Sequence, residues 1–279
     1  MQEKMKIIRP VLGKITQGTL FNCAVADRYR DKSVHGLAIT ARCDVANDKY
    51  PVLNYLPVVT LLDWMHCDGI EILLGNALKS TNGNFASSLK QAGIAVSLLA
   101  SIPRQEVVRS FFYSEDANKA QKKLAQAVQE QADRLDRLDG LDLENASDRN
   151  WFLNTYTKEV SALVKELVLG KVPSYYYIPS VTDDNEEEGY VILMRESAFL
   201  PRRVARQIAC GVDRPLSKSS ELEMHLSFLH DDFAMPVGQM PSPNIEHVLQ
   251  TFSFMFGRIG LEDYSAEFIS DVCARNFEM

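Results

Sequence analysis

Two separate parts of this chain carry short apolar runs that are typical of β-strands. They occupy 19–25, 35–41 and 51–59 near the N-terminus, and 172–179 and 189–194 towards the C-terminus. Gly, Pro, Asn and Asp bound these runs, as expected where strands end in turns. Because the runs are apolar at most positions, they predict strands that are buried on both faces.

The stretch between these two parts has helical periodicity instead. Within 114–138 the apolar side chains repeat at steps of three and four residues: Leu124, Val128, Ala132, Leu135 and Leu138. This seam predicts a helix that packs on the body of the protein or against a partner helix. A second helix is predicted over 147–169, with Gly170 as its C-cap, and the two helices form an antiparallel hairpin.

The C-terminal stretch contains a helix start signal. Ser242 is a typical N-cap residue, and Pro243 suits the first helical position. Apolar residues then recur at helical spacing: Ile245, Val248, Leu249, Phe252, Phe256 and Ile259. This pattern predicts that two helices complete the chain over 242–279.

Together these patterns predict an α+β fold organised as a single composite domain over 1–279. The sheet is predicted to be small and either β-barrel-like or bent. Two halves of the sequence, 13–60 and 172–237, supply this β scaffold. A long helical insertion over 61–170 separates the halves, and the two C-terminal helices over 242–279 follow them.

The composition limits the classes of function and location. A hydrophobic content of 46% is ordinary for a soluble globular protein. The net charge of −7 argues against broad, non-specific nucleic-acid binding, since phosphate neutralisation needs an excess of Lys and Arg. The N-terminus has no signal-peptide pattern, and no apolar run is long enough to span a membrane. Five scattered cysteines fit reduced thiols, so we predict a cytoplasmic location without membrane association.

The end of the second predicted strand is the most suggestive place for chemistry, because rigid scaffolds often display functional side chains there. Thr40, Arg42 and Asp44 are the candidate catalytic residues, with Arg42 to bind a phosphate and Asp44 to act as a base or ligand. Cys43 is a candidate nucleophile that needs a base within hydrogen-bond reach. In the alternative interpretation, Cys43 packs inward while Asp44 and Asn47 cap the turn.

His66, His225 and His230 are the remaining candidates for a metal site. A zinc ion needs three or four ligands, often at short spacings. Cys67 directly follows His66, and adjacent residues rarely reach one ion. His225 and His230 would face opposite sides of a strand. A zinc site would therefore have to be assembled across the fold, and we predict no metal and no cofactor.

Arg202, Arg203 and Arg206 form the only local concentration of basic residues. Such a cluster faces a phosphate or an acidic partner surface, or it forms salt bridges with carboxylates of the same chain. The acidic run 183–188 predicts a solvated hairpin loop. No P-loop, G-x-G-x-x-G, H-E-x-x-H or G-x-S-x-G pattern occurs, which excludes a Walker site and the common hydrolase elbows.

Several groups of residues resemble known proteins. Motifs resembling those of uncharacterised bacterial proteins of similar size are Gln17-Gly18-x-x-Phe21, Ile39-Thr40-x-x-Cys43-Asp44, and Gly238-Gln239-x-x-Ser242-Pro243-x-x-Glu246-His247 running to Phe256-x-Arg258-Ile259-Gly260. Over 17–60 the chain also resembles, distantly, the small barrel of MazF/PemK-type toxins. The corresponding features are Gly18, Thr40 and Pro57-Val58-Val59-Thr60. This second resemblance implies a ribonuclease barrel.

Two functional hypotheses follow. The absence of a catalytic motif, together with the seam of 124–138, predicts an accessory or regulatory bacterial protein that binds a protein partner, in a stress or phage-defence system. The alternative is a MazF-like endoribonuclease or RNA-binding protein that acts through the strand end at 40–47. The acidic net charge does not favour RNA or DNA as the partner.

Overall fold

The computed structural model describes residues 5–112, 119–184, 188–216 and 221–256, together with Ser265, Glu267 and Arg275. Three predicted features lie outside these residues. They are the start of the long helix at 114–118, the middle of the acidic loop at 185–187, and most of the second C-terminal helix.

The described chain alternates strands and helices. The strands are β1 (Thr19–Phe21), β2 (His35–Ala38), β3 (Val52–Thr60), β4 (Tyr175–Ile178), β5 (Tyr190–Leu193), β6 (Ala198–Pro201), β7 (Val212–Asp213), β8 (Phe233–Ala234) and β9 (Pro236–Gln239). The helices are α1 (Arg42–Ala46), α2 (Leu61–Trp64), α3 (Ile70–Gln91), α4 (Arg104–Phe112), α5 (Lys119–Asp139), α6 (Ala146–Thr155), α7 (Thr157–Val168), α8 (Arg202–Cys210), α9 (Glu221–His225) and α10 (Asn244–Phe256). Short 3-10 turns lie at Asp27–Tyr29 and Val96–Ala100, and a π-helical turn at Met65–Gly69 joins α2 to α3.

The main sheet is antiparallel and has the strand order β4-β5-β3-β2-β1-β9, with β6 also paired to β3. Strand β3 lies at its centre and changes partner along its length. On one side it pairs with β2, while on the other 52–55 pair with β6 and 58–60 pair with β5. The sheet therefore bends at β3 but does not close into a barrel. The bent-sheet alternative of the predicted α+β fold is confirmed.

Both faces of the sheet are covered. On one face Phe21, Tyr55 and Val191 join a core with helical residues such as Trp64 and Val204. On the opposite face Leu20, Leu37 and Ile192 of the sheet form a second buried cluster. Ile7 of the N-terminal segment and Ile245 and Val248 of α10 pack in the same cluster. This arrangement confirms the expectation of strands buried on both sides.

The helical seam is buried within the chain. Val128, Ala132 and Leu135 are buried in one cluster with Phe85 of α3 and Val107 of α4. Helix α5 contacts both α3 and α4. The seam therefore packs mainly on the protein's own body, with Leu124 only partly buried.

Two helix boundaries differ from the predicted ones. The helix predicted over 147–169 is two helices, because Tyr156 has φ −107° and ψ 36° and interrupts the helical backbone. Helix α10 begins at Asn244 rather than at Pro243. The Ser242 hydroxyl donates to the Glu246 carboxylate at 2.8 Å and is not the N-cap acceptor predicted for it. Gly170, by contrast, follows α7 with φ +67° and donates to the Leu167 carbonyl, as predicted for a C-cap.

Candidate functional site

The three predicted catalytic residues lie at the end of β2 and in α1, with different partners. Thr40 is buried, and its Oγ1 accepts the backbone N–H of Asn54 at 2.7 Å. The exposed Arg42 donates from Nη2 to Ser242 Oγ and Glu246 Oε1, both at 3.0 Å. Thr40 thus joins β2 to β3, and Arg42 joins α1 to α10.

Asp44 lies on the solvent side of α1. Its Oδ1 is 3.7 Å from the Sγ of Cys43, whose side chain is exposed rather than packed inward. Asn47 donates from Nδ2 to the Cys43 carbonyl at 2.7 Å, so the predicted capping role of Asn47 is found. The roles of Thr40, Arg42 and Asp44 in catalysis remain predictions.

The described parts of the motifs singled out in the sequence meet at this corner of the sheet, whereas Arg258, Ile259 and Gly260 lie outside the described residues. Thr19 Oγ1 donates to Gln239 Oε1 at 2.8 Å, and Gln239 Nε2 donates to the Gln17 carbonyl at 3.0 Å. Gly18 has φ +88°, and a Cβ there would lie 2.7 Å from the carbonyl oxygen of Met240. Only glycine fits this close approach. These motif residues hold β1, β2 and β9 together.

Glu246 and His247 lie side by side on α10 but have different partners. The hydrogen bond from Ser242 lowers the pKa of the Glu246 carboxyl, and the charge of Arg42 lowers it further. His247 Nδ1 instead lies 2.7 Å from the hydroxyl of Tyr176 on β4. The two side chains do not form an acid–base pair with each other, as expected for neighbours on a helix.

A buried polar network surrounds Asp68 in the π-helical turn. The Arg28 guanidinium donates to Asp68 Oδ1, and the Tyr29 hydroxyl donates to Oδ2 at 2.7 Å. Arg28 Nη2 also donates to Glu71 at 2.5 Å. Since the Asp68 side chain is only 3% exposed, losing these partners would leave its carboxylate oxygens buried without hydrogen bonds.

The same network perturbs the neighbouring ionisable groups. Burial raises the pKa values of the Tyr29 and Tyr175 hydroxyls above that of an ordinary tyrosine, and the charge of Asp68 raises both further. Burial also raises the pKa of the Glu196 carboxyl, with a further rise from Asp68. Both Asp68 oxygens are occupied by donors of the chain itself, so the arrangement suits an anchor that holds the 27–29 turn against α3. The sequence signal for this anchor is an aspartate inside an apolar helical stretch.

A second set of arginines lies along α8. The sequence left this segment open between a short basic helix and an extended segment, and the structure shows the helix. One side of α8 is buried in the core through Val204, Ala205 and Ile208. The opposite side carries Arg203, Arg206, Gln207 and Cys210 at steps of three and four residues, which place them along one stripe. We call these four residues the arginine stripe.

The arginine stripe lines an open groove. The groove has a volume of about 610 Å³, and Arg202, Gly211 and Val212 complete its lining. Arg202 and Arg203 are the first two residues of α8, where the helix dipole disfavours positive charge. A placement that breaks this local rule is typical of a functional surface.

The carboxylates near the stripe neutralise it unevenly. Arg202 donates from Nη1 to Asp48 Oδ2 at 3.4 Å, and Arg206 donates from Nη2 to the same oxygen. Arg203 lies 3.8 Å from Glu221, beyond hydrogen-bond distance, and its side chain is 80% exposed. Of the two predicted alternatives, salt bridges within the chain are found for all three arginines, but the pair of Arg203 with Glu221 is the longest and leaves the Arg203 side chain mostly exposed.

The histidines considered for zinc are dispersed among other partners. His225 contacts the ring of Phe199, with centroids 6.1 Å apart, and His230 Nε2 lies 2.9 Å from the Asp31 carbonyl. Among the described residues, no three His, Cys, Asp or Glu side chains are grouped in a way that could hold a metal ion.

No family model, curated protein or solved structure matches this chain. The resemblances proposed from the sequence therefore stay predictions. Within the described part of the chain, no helix has the length and apolar character needed to cross a membrane.

Proposed function

We propose that this chain is a non-catalytic accessory protein that binds an acidic segment of a protein partner in the groove along α8. The observation that carries the proposal is the exposed guanidinium of Arg203, beside Arg206, on a helix whose opposite side is fixed in the core. Arginine recognises carboxylates through two parallel N–H groups, and a rigid helix holds that geometry.

Exposed apolar side chains on elements that contact α8 support a protein partner. Phe199 and Met224 are exposed on β6 and α9, two of the elements that contact α8. Arginine, aromatic residues and methionine are enriched in protein interfaces.

A binding titration tests the proposal. Fluorescence anisotropy of a labelled glutamate-rich peptide should show saturable binding to the wild type that weakens as salt is added. Arg203→Glu and Arg206→Glu should each weaken binding by about tenfold or more, because each introduces repulsion at the contact.

Arg30→Glu is the matched control, since Arg30 is exposed, lies outside the groove and pairs only locally with Asp27. It changes the net charge equally and should leave the affinity within about twofold of wild type. Equal loss in all three variants, or no binding by the wild type, would remove the proposal. Co-purification from the host with wild type and Arg203→Glu would then identify the partner and test the predicted stress or phage-defence setting.

The second candidate is the MazF-like endoribonuclease, which one observation favours. Arg42 lies with Ser242 and Glu246, and arginine, hydroxyl and carboxylate groups are of the kind that bind and cleave phosphodiesters. Incubation of the purified protein with single-stranded RNA tests this candidate. The absence of cleavage, or unchanged cleavage by Arg42→Ala and Asp44→Ala, would eliminate it.

A further inference from the structure

The turn that follows α1 places a carboxylate against the arginine stripe. Asp48 has φ +54°, a left-handed conformation that aspartate, asparagine and glycine adopt more readily than other residues. Its backbone N–H donates to the Val45 carbonyl at 3.2 Å, and the backbone N–H of Lys49 donates to the Asp44 carbonyl at 2.8 Å. These bonds hold the turn independently of the Asp48 side chain.

One carboxylate oxygen of Asp48 lies between two guanidinium groups. Oδ2 accepts from Arg202 and from Arg206, although the side chain is 47% exposed. Arg202 Nη1 also donates to the backbone carbonyl of Asp48 at 3.0 Å. The contact with Arg202 would thus persist without the carboxylate, while Arg206 would lose its acceptor.

We infer that Asp48 is a built-in competitor that occupies the position of a partner carboxylate on Arg206. The inference rests on the proposed function and adds a regulatory contact to the same groove. An incoming Asp or Glu side chain must displace Asp48 from Arg206, and this exchange lowers the affinity of the groove. The displaced carboxylate remains near solvent, so the exchange does not leave a buried charge without a partner.

The test compares the glutamate-rich peptide on wild type, Asp48→Asn and Asp48→Gly. Asparagine tolerates the left-handed backbone and removes the charge, and glycine also removes the remaining acceptor. We expect about fivefold tighter binding for Asp48→Gly and a smaller gain for Asp48→Asn, the size expected when an exposed ion pair no longer competes. Asp27→Asn makes the same change in net charge at an exposed site outside the groove, and should change the affinity by less than twofold.

The outcomes separate this inference from the proposed function. Binding by Asp48→Gly that is tighter than that of the wild type, and that Arg203→Glu removes in the double variant, supports the inference. Wild-type binding that Asp48→Gly leaves unchanged or weakens overturns the inference, while the proposed function stands. If none of these folded proteins binds the peptide, both are overturned.

Discussion

Arg28 and Arg206 each donate to an aspartate, but the two carboxylates lie in different surroundings. The side chain of Asp68 is 3% exposed, whereas that of Asp48 is 47% exposed. Tyr29 completes the shell of Asp68, while no tyrosine contacts Asp48 in the hydrogen bonds of the described chain. Electrostatic attraction is strong where water is excluded and weak where water and salt screen it. The Arg28–Asp68 pair therefore stabilises the fold, whereas Asp48 can be displaced from Arg206 by the carboxylate of a partner.

The comparison shows that arginine content alone does not indicate function. The Arg28 cluster and the α8 cluster differ in two respects: the number of carboxylates of the chain that accept from each guanidinium, and how deeply those carboxylates are buried. Arg28 has two carboxylate partners at hydrogen-bond distance, whereas Arg203 has none among the described residues. This difference can be tested by substitutions that act on one cluster at a time.

The largest effect is expected for Asp68→Ala. The change leaves Arg28 without its buried partner and the Tyr29 hydroxyl without an acceptor, so it should lower the free energy of unfolding by about 3–5 kcal/mol. Urea unfolding measures this. Asp48→Asn, the matched exposed change, should alter stability by about 1 kcal/mol or less. Equal effects of the two substitutions would abolish the distinction between the clusters.

A pH titration should also distinguish buried from exposed groups. Burial lowers the pKa of His35 from 6.5 to about 4, and its Nδ1 has no hydrogen-bond partner in the described chain. The folded-state pKa lies below the unfolded one, so stability is complete above pH 6.5 and is lost as the pH falls towards 4. The loss should reach about 3 kcal/mol.

Urea unfolding at several pH values checks this expectation. His35→Phe, which keeps a ring beside Tyr190, should flatten the dependence between pH 6.5 and 4. His230→Gln, which replaces an exposed histidine, serves as the control substitution. A slope unaffected by His35→Phe would show that other groups govern the acid sensitivity.

The smallest effect is expected for the coupling between Asp48 and Arg206. A double-mutant cycle with Asp48→Asn and Arg206→Ala should give a coupling free energy of about 0.5 kcal/mol that declines as salt is added. A coupling of about 3 kcal/mol, insensitive to salt, would place this pair in the same class as Arg28 and Asp68.

Local patterns in the sequence were sufficient to predict much of the fold. The hairpin of β4 and β5 and the apolar seam of α5 follow from patterns within short segments, whereas the sequence left the segment of α8 open between a helix and an extended conformation. The break at Tyr156 and the start of α10 were predicted wrongly, because side-chain partners and local backbone geometry decide them. Apolar spacing carries no information on whether a seam packs on its own chain, and here α3 and α4 supply the partner surface.

The candidate site was less predictable for the same reason. Arg28 meets Asp68 across 40 positions, and Arg206 meets Asp48 across 158. The sequence identified the arginine cluster and left open whether internal carboxylates neutralise it. The fold decides that question, since it brings Asp48 to Arg202 and Arg206 and leaves Arg203 exposed.

The most direct test of the central claim is an NMR titration that observes the arginine side-chain Nε–H signals as the glutamate-rich peptide is added. Our account predicts that the signals of Arg203 and Arg206 shift and saturate together, while the signal of Arg28, held by Asp68, does not move. Equal shifts at Arg28, or no shift at Arg203 and Arg206, would contradict the assignment of the α8 groove as the binding surface.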